Sequence, residues 1–127
     1  CVQKGGISPV MDVLPYGERL KTKGLNLITG PGNDIVACTV LAAAGCHMIL
    51  FTTGRGNPMG SVIPTVKIAT NQVLAEKKAN WIDWDAQSHP ETAEFVQYVL
   101  AVANGKETAS ERFGDRQIAI FKDGVTL

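Results

Sequence analysis

The chain divides into short apolar runs separated by clusters of glycine, proline and polar residues. Leu25-Asn26-Leu27-Ile28 and His47-Met48-Ile49-Leu50-Phe51 are short and bounded by turn residues, so they read as buried strands over about 25–29 and 47–52. Thr65-Val66-Lys67-Ile68-Ala69-Thr70 reads as a third strand, Trp81 to Asp85 as a short extended segment, and Gln117 to Phe121 as a last strand. Helical signals fall between them. Asn33 or Asp34 can cap a helix reaching Ala44, with Gly45 at the position after its end. That helix, Ile35 to Ala44, is apolar almost all round and should be covered on more than one side. Asn71 opens a helix over Gln72–Asn80, and Pro90 sits at the first position of one reaching Ala103, whose Phe95, Tyr98, Val99 and Val102 recur at helical spacing. Upstream, Ser8-Pro9 reads as the start of a short helix interrupted by Pro15 and Gly17, with Glu18 to Lys23 adding another turn or two. Asp123-Gly124 makes a turn near the end.

Alternating strands and helices argue for the α/β class: a largely parallel sheet flanked by helices, in a Rossmann-like three-layer arrangement. The expected division is a linker and short helix over residues 1–23, left from a preceding region, and an α/β domain over 24–127. With 127 residues, 45% of them hydrophobic, and a mean hydropathy of +0.06, the chain can bury a core of its own. The apolar surplus leaves room for an interface with missing partners. Twelve basic and twelve acidic residues cancel, which argues against a nucleic-acid partner. No apolar run approaches the roughly 20 residues of a membrane span. Cys1-Val2-Gln3-Lys4-Gly5-Gly6 has neither a signal-peptide core nor an initiator Met, so the chain is expected to be part of a longer cytoplasmic protein. Cys1, Cys38 and Cys46 show no disulfide framework; the latter two read as small core residues with free thiols.

Two loops break the packing pattern. One is Thr29-Gly30-Pro31-Gly32-Asn33-Asp34; the other is Thr52-Thr53-Gly54-Arg55-Gly56-Asn57-Pro58-Met59-Gly60. Each follows an apolar strand and offers backbone N–H groups, hydroxyls or a guanidinium to something anionic and rich in oxygen. Ligands of parallel sheets bind outside the strand carboxyl ends, where both loops and the Thr70-Asn71 corner fall. If the strands are parallel, the three places share one edge. The amides near Gly32, Asn33 and Asp34 suit a carboxylate or phosphate, although Asp34 could instead serve as a cap, a metal ligand or a hydroxyl acceptor. Arg55, between Gly54 and Gly56, can meet a carboxylate bidentately or stand solvated. The glycine spacing 54-56-60 is not a dinucleotide fingerprint, and no Walker lysine is present, so no nucleotide cofactor is expected. Lys67 interrupts an apolar strand; it is either a lysine with a depressed pKa near a site or an edge-strand lysine. His47 lies at the wrong strand end and reads as structural, His89 falls in a cap region, and Trp81 and Trp84 should pack the 90–103 helix onto the sheet.

Taken in order, Cys1-Val2-Gln3-Lys4-Gly5-Gly6, Ser8-Pro9-Val10, Asp12-Val13-Leu14, Gly30-Pro31-Gly32-Asn33-Asp34, Phe51-Thr52-Thr53-Gly54-Arg55-Gly56, Pro64 to Asn71 and the Gly124-Val125-Thr126-Leu127 ending resemble the C-terminal part of the altronate/galactarate dehydratase family. The resemblance covers nearly the whole chain. It implies a cytoplasmic lyase acting on sugar acids, with altronate losing water to give 2-dehydro-3-deoxygluconate. Galactarate dehydration, a sulfolactate sulfo-lyase large subunit and a non-catalytic assembly domain are the alternatives. It also implies a divalent metal, Fe2+ with Mn2+ as the alternative, N-terminal domains of the same chain as partners, and a homo-oligomer. The chain has no His/Glu cluster, so the metal ligands are not assigned and are expected upstream. Within this chemistry Arg55 and the 32–35 amides would hold the substrate carboxylate. Thr52, Thr53 and Asn71 would meet hydroxyls, beside Gly54 and Gly56, and Lys67 would act as base or electrostatic partner.

Overall fold

The computed structural model describes residues 5–119. Cys1–Lys4 of the opening motif, the end of the 117–121 strand, the Asp123-Gly124 turn and the Gly124–Leu127 ending lie outside them. The described residues form two compact units, one running through Cys46 and including Ala119, the other His47–Ile118.

In the first unit, β1 (Val10–Leu14) pairs in parallel with β2 (Leu25–Ile28), from Val10 opposite Leu25 to Leu14 opposite Ile28. The short helix expected after Ser8-Pro9 is therefore a strand. Pro15 biases Leu14 away from helical backbone angles, so fewer than two turns fit between the prolines, too few to nucleate a helix. The Val-rich segment instead takes the partner that the tertiary fold offers. Glu18 to Lys23 form no helix: Glu18–Lys21 are irregular and Thr22 and Lys23 lie in a bend. α1 (Asp34–Ala44) begins and ends where its caps direct: Asn33 Oδ1 accepts the Val36 N–H at 3.3 Å, and Gly45 closes it in the left-handed region at φ 103°. Val36, Cys38, Val40 and Ala44 are buried, and Ile35, Ala37, Thr39, Leu41 and Ala42 are half-buried, so the helix is covered over most of its circumference as its composition requires. Cys38 and Cys46 are free thiols. Burial, helped by Asp34, pushes Cys38 up to about 11, and burial also raises Cys46. Leu14, Leu20, Leu25, Ile28, Leu41 and Cys46 line an open apolar cavity of about 450 Å³.

In the second unit, β3 (Ile49–Thr53), β4 (Thr65–Ala69) and the two-residue β5 (Trp84–Asp85) form a parallel sheet in the order β3-β4-β5. Among the described residues the strands pair in parallel, as the alternating pattern requires, in a two-stranded and a three-stranded sheet where one was expected. Central β4 is buried along its whole length, the normal state of a middle strand in a parallel sheet. α2 (Gln72–Lys77) is capped by Asn71, α3 (Thr92–Ala103) begins two residues past Pro90, and α4 (Ala109–Arg112) is a single turn absent from the sequence reading. α4 is nonetheless locally encoded: Thr108 and Glu111 form a reciprocal capping box. Val66, Ile68 and Val102 make the core, and Met48, Trp84, Phe95 and Tyr98 close over it. Trp84 meets the Phe95 and Tyr98 rings at centroid distances of 5.4 Å each, tilted as aromatic quadrupoles prefer. Trp81 does not share this duty; Lys78 Nζ lies 4.7 Å over its ring. Of the expected strand near the end, the described residues show a bridge of Gln117 against Ser61. Among the described residues no helix is long and apolar enough to cross a membrane.

Candidate functional site

The carboxyl ends of β3 and β4 lie side by side, with Thr53 opposite Ala69. The chain beyond each is stitched to the other. Thr70 donates to the Thr53 carbonyl from its N–H at 3.1 Å and from Oγ1 at 3.2 Å, and Asn71 Nδ2 donates to the Gly54 carbonyl at 3.1 Å. Asn71 Oδ1 accepts the Leu74 N–H at 2.9 Å, so this one amide caps α2 and tethers the loop. Thr53 Oγ1 accepts the Gly56 N–H at 2.9 Å, which turns the chain directly after Arg55. Gly56 has φ 80°, a backbone conformation that favours glycine, and a Cβ there would press on the flexible ends of Leu74 and Lys78. Lys78 Nζ donates to the Arg55 carbonyl at 2.8 Å.

The far end of the loop is buried. Met59, Gly60 and Ser61 are all buried. Lys67 Nζ donates to the carbonyls of Asn57 (3.2 Å), Pro58 (3.2 Å) and Met59 (3.0 Å). Ser110 Oγ donates to the same Met59 carbonyl at 3.2 Å, and the Gln117 N–H donates to the Gly60 carbonyl at 3.0 Å. A Cβ on Gly60 would fall on the Asp115 carbonyl oxygen. Asp83 ties the elements beneath: Oδ2 accepts the Lys67 N–H at 2.9 Å, while Oδ1 accepts the Ala109 N–H at 2.7 Å and the Tyr98 hydroxyl at 3.3 Å. Burial, then Asp83 by charge and hydrogen bond, push the Tyr98 phenol up to about 12.

Both ends of the loop are therefore held by hydrogen bonds, while the Arg55 side chain stays exposed with no ion-pair partner among the described residues. Thr52 and Thr70 are exposed beside it. The structure brings together Thr52, Thr53, Gly54, Arg55, Gly56 and Asn71, but it divides their duties. The Gly56 amide, the Thr53 hydroxyl and both ends of the Asn71 amide already serve the loop's own architecture. Lys67 is 1% exposed, with all three ammonium donors on carbonyl oxygens. It stands in the central strand, so the edge-strand alternative for it is replaced. Burial lowers its pKa, and Asp83 and Asp115 oppose that shift.

Gly32 and Asn33 lie in the first unit, in the loop after β2, and Asp34 is the first residue of α1. A Cβ on Gly30 or Gly32 would meet nothing within 4 Å. Asn33, not Asp34, is the cap of α1, and its oxygen is used on Val36 N–H. Among the described residues β2 and β3 belong to different sheets, one in each unit, and the corners that share a sheet edge are the 52–60 loop and the Thr70-Asn71 corner. Among the described residues no three His, Cys, Asp or Glu side chains gather to hold a metal ion, so these residues do not by themselves fit the divalent metal that the resemblance implies.

Ser110, Lys78, Asp83 and Asp115 were not singled out in the sequence. Ser110 lies 51 residues from its Met59 partner and Lys78 lies 23 from Arg55, separations at which no local pattern operates. Asp83 carried a signal, an acidic residue inside the apolar segment Trp81-Ile82-Asp83-Trp84.

The sequence model of the D-galactarate/altronate dehydratase C-terminal family matches residues 1–126. The chain belongs to this family. It is similar to the altronate dehydratases of Escherichia coli (strain K12), at 58% identity over 134 residues, and of Bacillus subtilis (strain 168), at 53% over 135. Each alignment covers 100% of this chain and 27% of the relative. The galactarate dehydratase (L-threo-forming) of Escherichia coli (strain K12) is 35% identical over 131 residues, covering 94% of this chain and 25% of that protein. The chain thus spans about a quarter of the length of the curated relatives it matches.

Proposed function

We propose that this chain is the C-terminal domain of a cytoplasmic hydro-lyase that removes water from D-altronate to give 2-dehydro-3-deoxy-D-gluconate. The observation that carries the reading is the exposed guanidinium of Arg55, without an ion-pair partner among the described residues, on a loop fixed at both ends. A 2,3-dihydroxy acid presents a carboxylate and adjacent hydroxyls. Arg55 takes the carboxylate, and the exposed Thr52 and Thr70 face the hydroxyls. In the reaction the C2 proton leaves and its electron pair forms the C2–C3 double bond. The C3 hydroxyl departs as water after protonation, and the resulting enol becomes the 2-keto acid. A cation at the carboxylate lowers the cost of the charge that builds up as the C2 proton leaves. Arg55 therefore supports both binding and proton removal.

A divalent metal, ferrous iron with manganese as the alternative, belongs to this reading as a requirement of the full-length protein. The test is an assay of the full-length protein with ferrous iron, offering altronate, galactarate and sulfolactate and following 2-keto acid, pyruvate and sulfite. Keto-deoxy acid from altronate alone supports the proposal. Turnover of galactarate, or sulfite release from sulfolactate, keeps the lyase class and changes the substrate. No turnover of any of the three refutes it.

A second reading, assembly, draws on the first unit. Val10, Met11 and Val13 of β1 are 42%, 51% and 64% exposed, apolar side chains on a strand with one partner among the described residues. The remaining domains of the longer chain, or a second copy in a homo-oligomer, would cover it. Val13→Asp should change the oligomeric state or solubility of the full-length protein if this reading holds; unchanged sedimentation and solubility would rule it out.

A further inference from the structure

Lys67 occupies the one position where the central strand should be apolar. β4 reads Thr65-Val66-Lys67-Ile68-Ala69, and every residue of it is buried. The Lys67 side chain ends in a cage of three consecutive backbone carbonyls, those of Asn57, Pro58 and Met59, at 3.0 to 3.2 Å. An ammonium has three donors and no acceptor, so this cage uses its full valence. The three carbonyls belong to the loop that begins at Gly54 and carries Arg55. Without a cation at their centre, three carbonyl dipoles would converge on one buried point.

We propose that Lys67 is a fixed internal cation that positions the Arg55 loop, rather than a group that exchanges protons with substrate. The proposal rests on the reading of Arg55 as carboxylate anchor and deepens it. Lys67 reaches no substrate; its 1% exposure and its three acceptors leave no lone pair to receive a proton. Its action travels through the backbone. Met59 is held from β4 by Lys67 and from α4 by Ser110, and α4 is itself fixed to Asp83 through the Ala109 N–H. Asp83 accepts the Lys67 N–H in turn, so one carboxylate aligns both arms that grip the loop. The charged groups acting on the ammonium are Asp83 and Asp115, both of which favour its protonated form against burial.

The two roles make opposite predictions in the full-length protein. A lost general base costs roughly 100- to 10,000-fold, and an arginine cannot replace it because its guanidinium does not deprotonate. A fixed cation can be replaced by another cation. Lys67→Arg should therefore keep kcat/KM within about tenfold of wild type, whereas Lys67→Met should lose about 100-fold through misplacement of Arg55. Amide hydrogen exchange over 57–61 should accelerate in Lys67→Met and stay near wild type in Lys67→Arg. In Lys67→Ala, n-propylammonium should restore activity in proportion to its protonated form, against tetramethylammonium at equal ionic strength as a control that cannot donate. Rescue that rises with the free amine, or a Lys67→Arg protein as inactive as Lys67→Met with wild-type exchange over 57–61, overturns the proposal. Should Arg55→Ala keep wild-type kcat/KM, the carboxylate-anchor reading fails separately, and the exchange measurements still decide the Lys67 cage.

Discussion

One methyl group at Gly60 tests the loop architecture without touching any charged residue. An alanine Cβ there falls on the Asp115 carbonyl oxygen, 2.7 Å from Ser110 Cβ and 3.0 Å from the Asp115 carbonyl carbon. Carbon atoms prefer to sit about 3.5 to 4.0 Å apart, so the backbone must move by roughly 1 Å. Two of the three obstructing atoms are main chain, and no rotamer change clears them. Moving the adjacent Met59 carbonyl by that amount takes its 3.0 Å bond from Lys67 and its 3.2 Å bond from Ser110 past hydrogen-bond range. Overpacking costs about 1–3 kcal/mol, a hydrogen bond to a charged group about 1.5–3 and a neutral one about 1. These terms overlap, and a net loss of about 4 kcal/mol is expected, a large part of a typical folding free energy of about 5–15 kcal/mol. The assay is urea denaturation of the full-length protein, reading the transition that reports this unit, with kcat/KM measured in parallel. Gly30→Ala is the control, since a Cβ there meets nothing within 4 Å; it should be neutral or add about 0.4–1 kcal/mol by restricting the unfolded chain. A Gly60→Ala protein within about 0.5 kcal/mol of wild type, the range of an ordinary surface substitution, would show that the loop is not held as described.

Arg55→Ala should lower kcat/KM by about 30-fold or more, from loss of a charge-assisted contact worth roughly 2–5 kcal/mol, while leaving the denaturation midpoint in place; wild-type turnover would remove Arg55 from the site. Asn71→Asp keeps an oxygen for the Leu74 N–H but loses the donor to the Gly54 carbonyl, so folding should hold while KM rises, and an unchanged KM would contradict the tether. Trp84→Ala removes the ring at the centre of the Phe95, Tyr98 and His89 contacts and should cost about 3–5 kcal/mol, readable by the same denaturation. Cys38 and Tyr98 have native pKa values raised to about 11 and about 12 from 9.0 and 10.0. The native state therefore holds more protons than the unfolded one, and the stability these groups contribute is present below pH 9 and lost progressively from there to about pH 12. Cys38→Ala and Tyr98→Phe should flatten that alkaline loss, and an unchanged profile would refute the assignment. Lys67 has the opposite sign: its native pKa is lowered from 10.5, so stability relative to Lys67→Met should rise as pH climbs toward 10.5, while activity falls as the caged cation is lost.

Local signals sufficed where a few neighbouring residues decide the outcome. Asn33 and Gly45 bound α1, and Asn71 opens α2, because a side-chain oxygen and a left-handed glycine act within one helical turn. Apolar runs bounded by turn residues marked β2, β3 and β4, and their alternation with helices implied parallel pairing. The Thr52–Gly60 loop announced itself by ceasing to serve the core. Only the tertiary structure decided the rest. It made Val10–Leu14 a strand by supplying a partner, and it divided the strands between two sheets. It also settled which polar groups remain available to a ligand. Arg55 and Lys67 look alike in the sequence, two cations in unusual surroundings. One is exposed without an ion-pair partner among the described residues; the other is enclosed by three carbonyls. That difference depends on loop atoms eight to ten residues from Lys67 and on Ser110, 51 residues from Met59. Hydrogen bonding is satisfied in three dimensions, and the sequence carries only the donors and acceptors, not their pairing.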